Sequence, residues 1–303
     1  GCSLRVLPNM DSISFHRNDC ISLISGADKI KILDRSVSNS LVSFNNKEFK
    51  KALFCNTAGR IDDFALICPI DDKILMISSD EFSTETRSKL VEGIGWNEEF
   101  ELRDAVAAIS RFTVILSQSK ALSIFGINEI KDNTMEEFGD MIILVTKIEG
   151  LVMLDILCQK GSTDTLLSLF ERSDINLIDE QKWNLIRVKL GIIDIEDARG
   201  NLPWEIGLDK LITRGKGCYP GQEIHARMDS RGNKNKTLVR VISDKKIDVG
   251  KLRVDGFGTI NITSSFSENE LCYSLGICKD MPTGKIELSL DGSILNIESI
   301  PIS

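Results

Sequence analysis

Lys216-Gly217-Cys218-Tyr219-Pro220-Gly221-Gln222-Glu223 places one cysteine between a lysine, two glycines and the start of a helical stretch, Ile224-His225-Ala226-Arg227-Met228. Thiol chemistry runs through the thiolate. A nearby cation and a helix N-terminus both favour that form. Pro220 lacks an N–H and has a preset φ, so the spacing predicts it at the first helical position. Gly217 and Gly221 permit backbone angles or close approaches that a Cβ forbids. The residues describe an accessible, activated cysteine on a tight loop, with Cys218 as the candidate catalytic thiol. The competing reading is a small buried cysteine in a glycine turn, the usual fate of a free thiol.

Other groups are able to share that chemistry. Tyr219 offers an aromatic wall, and Lys216 is the cation that would bias the thiol. Glu223 stands in the first turn of the helix, where capping and ligand contact are both open. Asn56-Thr57-Ala58-Gly59-Arg60-Ile61-Asp62-Asp63 groups an amide, a guanidinium and two carboxylates. A carboxylate beside a reacting amine orients it or stabilises developing positive charge. A guanidinium clamps a carboxylate with two parallel hydrogen bonds, or pairs with Asp62 or Asp63 at the surface. Leu202-Pro203-Trp204-Glu205-Ile206-Gly207-Leu208 adds one more carboxylate.

The eight ordered residues around Cys218 resemble the K-G-C-[FY]-x-G-Q-E signature of YgfZ-type proteins, folate-binding relatives of the glycine-cleavage T-protein. Leu202–Leu208 is similar to that family's L-P-x-E-x-G-L segment, Arg187 and Gly191 to its R-x-x-x-G, and Asn56–Arg60 to its N-x-x-G-R. The markers run from about Ser25 to Arg231. The resemblance implies tetrahydrofolate or a derivative as cofactor, held by Asn56, Arg60, Asp63, Glu205, Lys216, Tyr219 and Glu223, with Cys218 and Asp63 as catalytic groups. It implies a factor that supports the assembly or repair of iron–sulfur proteins, with such clients or assembly proteins as partners. Two alternatives stay open. One is a folate-dependent aminomethyltransferase like the T-protein, against which Phe64 stands where the T-protein has an acid. The other is a non-catalytic folate-binding module linked to tRNA modification.

Length and composition frame these sites. A chain of 303 residues is too long for one ordinary core. A net charge of −8 argues against nonspecific nucleic-acid binding through overall charge. Arg214, Lys216, Arg227, Arg231, Lys234 and Lys236 nevertheless form a local basic stretch, suited to the carboxylates of a folate tail. The cysteines at 2, 20, 55, 68, 158, 218, 272 and 278 include no C-x-x-C pair, so neither zinc nor a disulfide framework is expected. No apolar run approaches the ~20 residues of a membrane span. Gly1-Cys2-Ser3-Leu4-Arg5 lacks a signal-peptide core, so a cytoplasmic monomer is expected.

Two cycles of strands and helices, residues 10–110 and 111–232, read as α+β. Residues 233–303 alternate strands with glycine turns, as in a small β-barrel. The resemblance sharpens this to two ferredoxin-like α+β domains and a C-terminal barrel in a T-protein-like cloverleaf.

Overall fold

The computed structural model describes residues 10–300 apart from 44, 149, 232–235, 280, 282 and 283. The chain opens with β1 (Ile13–Arg17), β2 (Cys20–Ser25), α1 (Lys29–Ser36), β3 (Lys50–Cys55), β4 (Ile61–Ile70), β5 (Lys73–Ser78), α2 (Ser83–Glu92) and β6 (Glu101–Asp104). It continues with β7 (Ile109–Leu116), α3 (Gln118–Phe125), β8 (Thr134–Phe138), β9 (Met141–Ile148), β10 (Leu151–Gln159), α4 (Thr163–Arg172), β11 (Asn176–Leu177), α5 (Glu180–Leu190), α6 (Ile195–Ala198) and α7 (Gln222–Arg231). The last part is all strand: β12 (Lys236–Ser243), β13 (Gly250–Val254), β14 (Gly258–Glu268), β15 (Leu271–Lys279), β16 (Lys285–Leu290) and β17 (Ser293–Ser299).

Three sheets result, in the orders β3-β4-β5-β2-β6, β11-β1-β7-β10-β9-β8 and β13-β14-β15-β12-β17-β16. The third curls into a half-barrel whose end strands β13 and β16 touch. The architecture is mixed α+β with a curled C-terminal sheet. One strand crosses between units. The sequence reading put Ile13–Arg17 with the first cycle, but β1 pairs with β7, Ile13 opposite Ile115. Two-residue alternation fits a strand into either sheet, and only the partner decides which.

Period-two alternation explains the layering. Along β4, Ala65 and Ile67 face the core under α1 and α2, while Leu66 and Cys68 face the opposite way. Along β10, Leu154 and Ile156 face α3 and α4, while Leu157 meets Leu66, Cys68 and Leu75 of the first sheet. The two sheets thus pack face to face, each covered by helices on its outer side. Arg111 and Asp155 lie within this interface, Nη2 to Oδ1 at 2.9 Å, with Thr113 donating to the same oxygen at 2.6 Å.

A second buried ion pair fastens the barrel. Arg187 of α5 is 1% exposed and its partner Asp197 of α6 is fully buried. Nη1 lies 2.8 Å from Oδ2, and Nη2 donates to Ser264 of β14 at 2.9 Å. Ser264 in turn donates to Asp197 Oδ1 at 2.7 Å. Each buried charge therefore has a partner and further hydrogen bonds, the condition under which burial is tolerated.

Candidate functional site

The Cys218 loop and the Asn56–Arg60 turn are built against each other. Asn56 Oδ1 accepts from the N–H groups of Ala58 and Arg60 at 3.0 and 3.1 Å, and the Asn56 carbonyl accepts from Gly59 N–H at 2.9 Å. These bonds curl residues 56–60 into a compact turn. Gly221 lies directly on it. A Cβ at Gly221 would stand 2.6 Å from Gly59 Cα and 2.7 Å from the Asn56 carbonyl oxygen. Gly221 also has φ +84°, a region open to glycine. Both facts require glycine there, and they bring two sequence segments 160 residues apart into backbone contact.

The same φ corrects one expectation. Pro220 does not occupy the first helical position. Tyr219-Pro220-Gly221-Gln222 is a turn, closed by Gln222 N–H to the Tyr219 carbonyl at 3.2 Å, and α7 begins at Gln222. Proline followed by a positive-φ glycine is the type II pattern, so the helix starts only after the glycine.

His225 stitches the two segments together. It is 1% exposed on α7. Its Nε2 lies 2.7 Å from the Gly59 carbonyl oxygen and its Nδ1 3.0 Å from the Tyr219 hydroxyl. A carbonyl only accepts, so Nε2 carries the hydrogen, and a neutral ring then accepts from Tyr219 at Nδ1. Burial holds the imidazole below its usual range, against the raising effect of the Gly59 carbonyl. Tyr219 is pushed up to about 12, by burial first and then by Cys55. Trp204 completes the aromatic group, its ring 5.2 Å from that of His225. Trp204, Tyr219, Gln222 and His225 line a cleft of about 180 Å³ with Asp209, Arg214 and Asp229 at its sides.

Cys218 is exposed, and the other cysteines among the described residues are buried. Lys216 does not serve it as a free cation. Its Nζ donates to the carbonyls of Val37 and Asn39, both at 2.8 Å, and of Asp34, with the Asp34 carboxylate at 3.5 Å. All three donors are committed to the C-terminal end of α1, where a cation complements the helix dipole. The expectation that Lys216 contacts a ligand is therefore corrected to a docking role for the loop. Gln222 Nε2 holds the same loop through the Lys216 carbonyl at 3.0 Å.

Asp63 is also corrected. It is fully buried, accepting from Thr86 Oγ1 at 2.6 Å, Ser79 Oγ at 2.7 Å and its neighbour Phe64 N–H at 2.9 Å. Burial raises its pKa against those hydrogen bonds. The carboxylate ties β4 to α2 and reaches no open space. Asp62, one residue earlier, points to the other face of the strand. It accepts from Asn56 Nδ2 at 3.3 Å and from Lys89 Nζ at 2.7 Å.

Glu205 and Arg60 lie side by side. Arg60 Nη1 lies 3.8 Å from Glu205 Oε2 and donates to the Gly200 carbonyl at 2.7 Å. Lys236 of β12, one of the six residues of the basic stretch, lies 2.8 Å from Glu205 Oε1. Leu202 N–H donates to Oε2 at 3.0 Å. Glu223 is exposed and paired with Arg227 one turn on, and it does not line the cleft. The basic stretch is largely neutralised: Arg214 pairs with Asp229, Arg227 with Glu223 and Lys236 with Glu205. The Arg231 and Lys234 side chains lie outside the described residues. Among the described residues there is no group of three or more His, Cys, Asp or Glu placed to hold a metal ion. No helix among them is long and apolar enough to cross a membrane.

The fold and these segments have counterparts in known proteins. No family model matches the chain. It is 22% identical over 223 residues to the tRNA-modifying protein YgfZ of Blochmanniella pennsylvanica, covering 72% of this chain and 67% of that protein. It is 27% identical over 171 residues to the protein of the same name from Pectobacterium carotovorum, covering 48% of this chain and 51% of that protein. The crystal structure of glycine cleavage system aminomethyltransferase T from Bartonella henselae superposes with a TM-score of 0.77, over 96% of this chain and 85% of that one, at 13% identity.

The chain is similar in sequence to the YgfZ proteins and has the T-protein fold.

Three of the sequence markers converge on one region, while Arg187 belongs to the ion pair at the barrel. Asn56, Arg60, Glu205, Cys218 and Tyr219 occupy adjoining turns, joined by the contacts of Gly59, Gly221 and His225. One contributor was missed and a second was not singled out. His225 reads in the sequence as an isolated helical histidine, and no spacing connects residue 225 to residue 59. Lys236 reads as one basic residue among six; only the return of β12 past Glu205 singles it out.

Proposed function

We propose that this chain is a reduced-folate-binding factor that presents Cys218 as an accessible thiol in support of iron–sulfur proteins, including those that modify tRNA. The observation that carries the reading is the Arg60–Glu205–Lys236 group, set beside the turn on which the Cys218 loop rests. A carboxylate offers about four acceptor sites. Glu205 uses one on a backbone N–H and one on an ammonium, which leaves capacity for the amine and N–H edge of a pterin ring. Arg60 and Lys236 supply charge for the acidic end of the ligand. The printed name of the two YgfZ relatives, tRNA-modifying protein, supports the tRNA connection. The aminomethyltransferase reading loses its carboxylate with the burial of Asp63.

Isothermal calorimetry with tetrahydrofolate tests the binding. The native protein is expected to bind, and Glu205→Ala to weaken binding at least tenfold while melting normally. Absence of binding by the native protein refutes the folate reading. Cys218→Ser is expected to bind folate unchanged and to fail in restoring iron–sulfur tRNA-modifying activity to cells lacking their YgfZ-type protein.

A further inference from the structure

The contact between the Arg60 turn and the Cys218 loop runs through one polar chain. Arg60, which pairs with Glu205, directly follows Gly59. The Gly59 carbonyl accepts from His225, His225 accepts from Tyr219, and Tyr219 directly follows Cys218. The chain is enclosed: Gly59 has no room for a side chain, since a Cβ there would meet His225 Cδ2 and Ile224 Cβ at 3.0 Å. A shift of the turn therefore moves His225, and a shift of His225 moves the residue beside the thiol. Close-packed contacts transmit displacement because they leave no slack to absorb it.

We infer that His225 is a positioning residue that couples occupancy of the Arg60–Glu205 site to the exposure of Cys218. The inference rests on the folate reading for the identity of the ligand, and on geometry alone for the coupling chain. A ligand that draws Arg60 from its present partners displaces the Gly59 carbonyl, and the hydrogen-bonded ring follows. Coupling of this kind is reciprocal: a modified Cys218 changes ligand affinity by the factor with which the ligand changes the thiol loop.

Protonation offers a second handle on the same chain. A doubly protonated ring donates at Nδ1, so Tyr219 has to turn from donor to acceptor. The hydroxyl hydrogen then has to leave the ring nitrogen for another acceptor. The titratable and charged groups near His225 are Arg60 on the turn, the neutral Cys55 thiol beside Tyr219, and Asp209, Arg214 and Asp229 along the cleft. Asp209 and Asp229 are the carboxylates that line the same cleft as the ring. Arg214 is salt-bridged to Asp229 at 2.6 Å and offsets that one.

The test is the rate of Cys218 alkylation by iodoacetamide, mapped by mass spectrometry, with and without 5-formyltetrahydrofolate as a stable reduced folate. The ligand is expected to change the native rate at least threefold. Tyr219→Phe and His225→Leu, each confirmed folded by its melting curve, are expected to lose that response. His225→Gln keeps a donor for Gly59 and an acceptor for Tyr219, and is expected to retain it. An unchanged ligand response in both Tyr219→Phe and His225→Leu overturns the coupling. If calorimetry shows that the folate does not bind, the folate reading fails and the acid arm decides the coupling. Reaction with 2,2′-dithiodipyridine between pH 7 and 4.5 is expected to show an inflection in the native protein that His225→Gln lacks. The same acid profile in both proteins overturns the inference.

Discussion

Asp62 and Asp63 are adjacent in sequence and opposite in fate. Asp62, beside a register shift in β4, reaches Asn56 and the exposed Lys89 of α2, whereas Asp63 is buried against Ser79 and Thr86. Asp63 satisfies the hydroxyls of Ser79 and Thr86. Removing it strands those donors in the core, so Asp63→Ala is expected to cost about 2–3 kcal/mol in urea denaturation. Any folate affinity should survive in the folded fraction. Cys218→Ser, at an exposed site, is expected to change stability by less than ~1 kcal/mol. Equal destabilisation by the two changes would contradict these assignments. Both carboxylates stand out in the sequence by their motif, but the motif does not say which one faces the site. That depends on strand phase and on the register shift beside Asp62, which sends Ile61 into one apolar cluster and Ala65 into another.

The turn at Gly221 acts at the scale of the element. It starts α7 two residues later than the proline suggests and lays the helix N-terminus on the Asn56–Arg60 turn. Gly221→Ala places a methyl group within 2.6–2.9 Å of three backbone atoms at a φ of +84°. Neither backbone yields cheaply, so a loss on the order of 2 kcal/mol or more is expected. Amide hydrogen exchange should locate the change in both residues 56–61 and residues 216–226. Faster exchange confined to one segment would mean that the turns do not support each other. The elements themselves were largely legible. Apolar alternation marked β3, β4 and β5, and Asp179 and Gly191 bracket α5 as N-cap and left-handed C-cap. The start of α7 was misplaced because a positive-φ glycine outweighs the preference of proline for a helix N-terminus.

At the scale of the whole molecule, Arg187 and Asp197 join α5, α6 and the half-barrel. Arg187→Met leaves Asp197 as an unpaired buried carboxylate, and a loss of about 3–5 kcal/mol is expected from thermal or urea unfolding. A loss under ~1 kcal/mol would show that the barrel is held by the apolar contacts of Leu185, Val188 and Leu275 alone. The histidines set a pH dependence of defined sign. Burial lowers the pKa of both His16 and His225. The unfolded chain therefore binds more protons just below the ordinary value of roughly 6.5. Stability from these groups is complete above that pH and declines as pH falls below it. His225→Gln should flatten part of that decline. A decline that begins only on the alkaline side would contradict the assignment.

The sequence alone determined the fold type and the identity of the segments that meet at the site. Glycines in turns, apolar periodicity and an eight-residue signature are local properties, written in consecutive residues. It also set out Cys218 as the thiol to watch, because glycines, a proline and charges around it disfavour burial. Only the tertiary structure decided which polar groups were already spent. Lys216 lost its proposed role to three carbonyls at and just beyond the end of α1, and Asp63 lost its to two hydroxyls near α2. Lys236 and His225 gained roles from residues 31 and 166 positions away. Hydrogen-bond partners at such separations depend on strand pairing and on how the sheets face each other. Those choices are settled by burial of the whole apolar surface, and no local pattern encodes them.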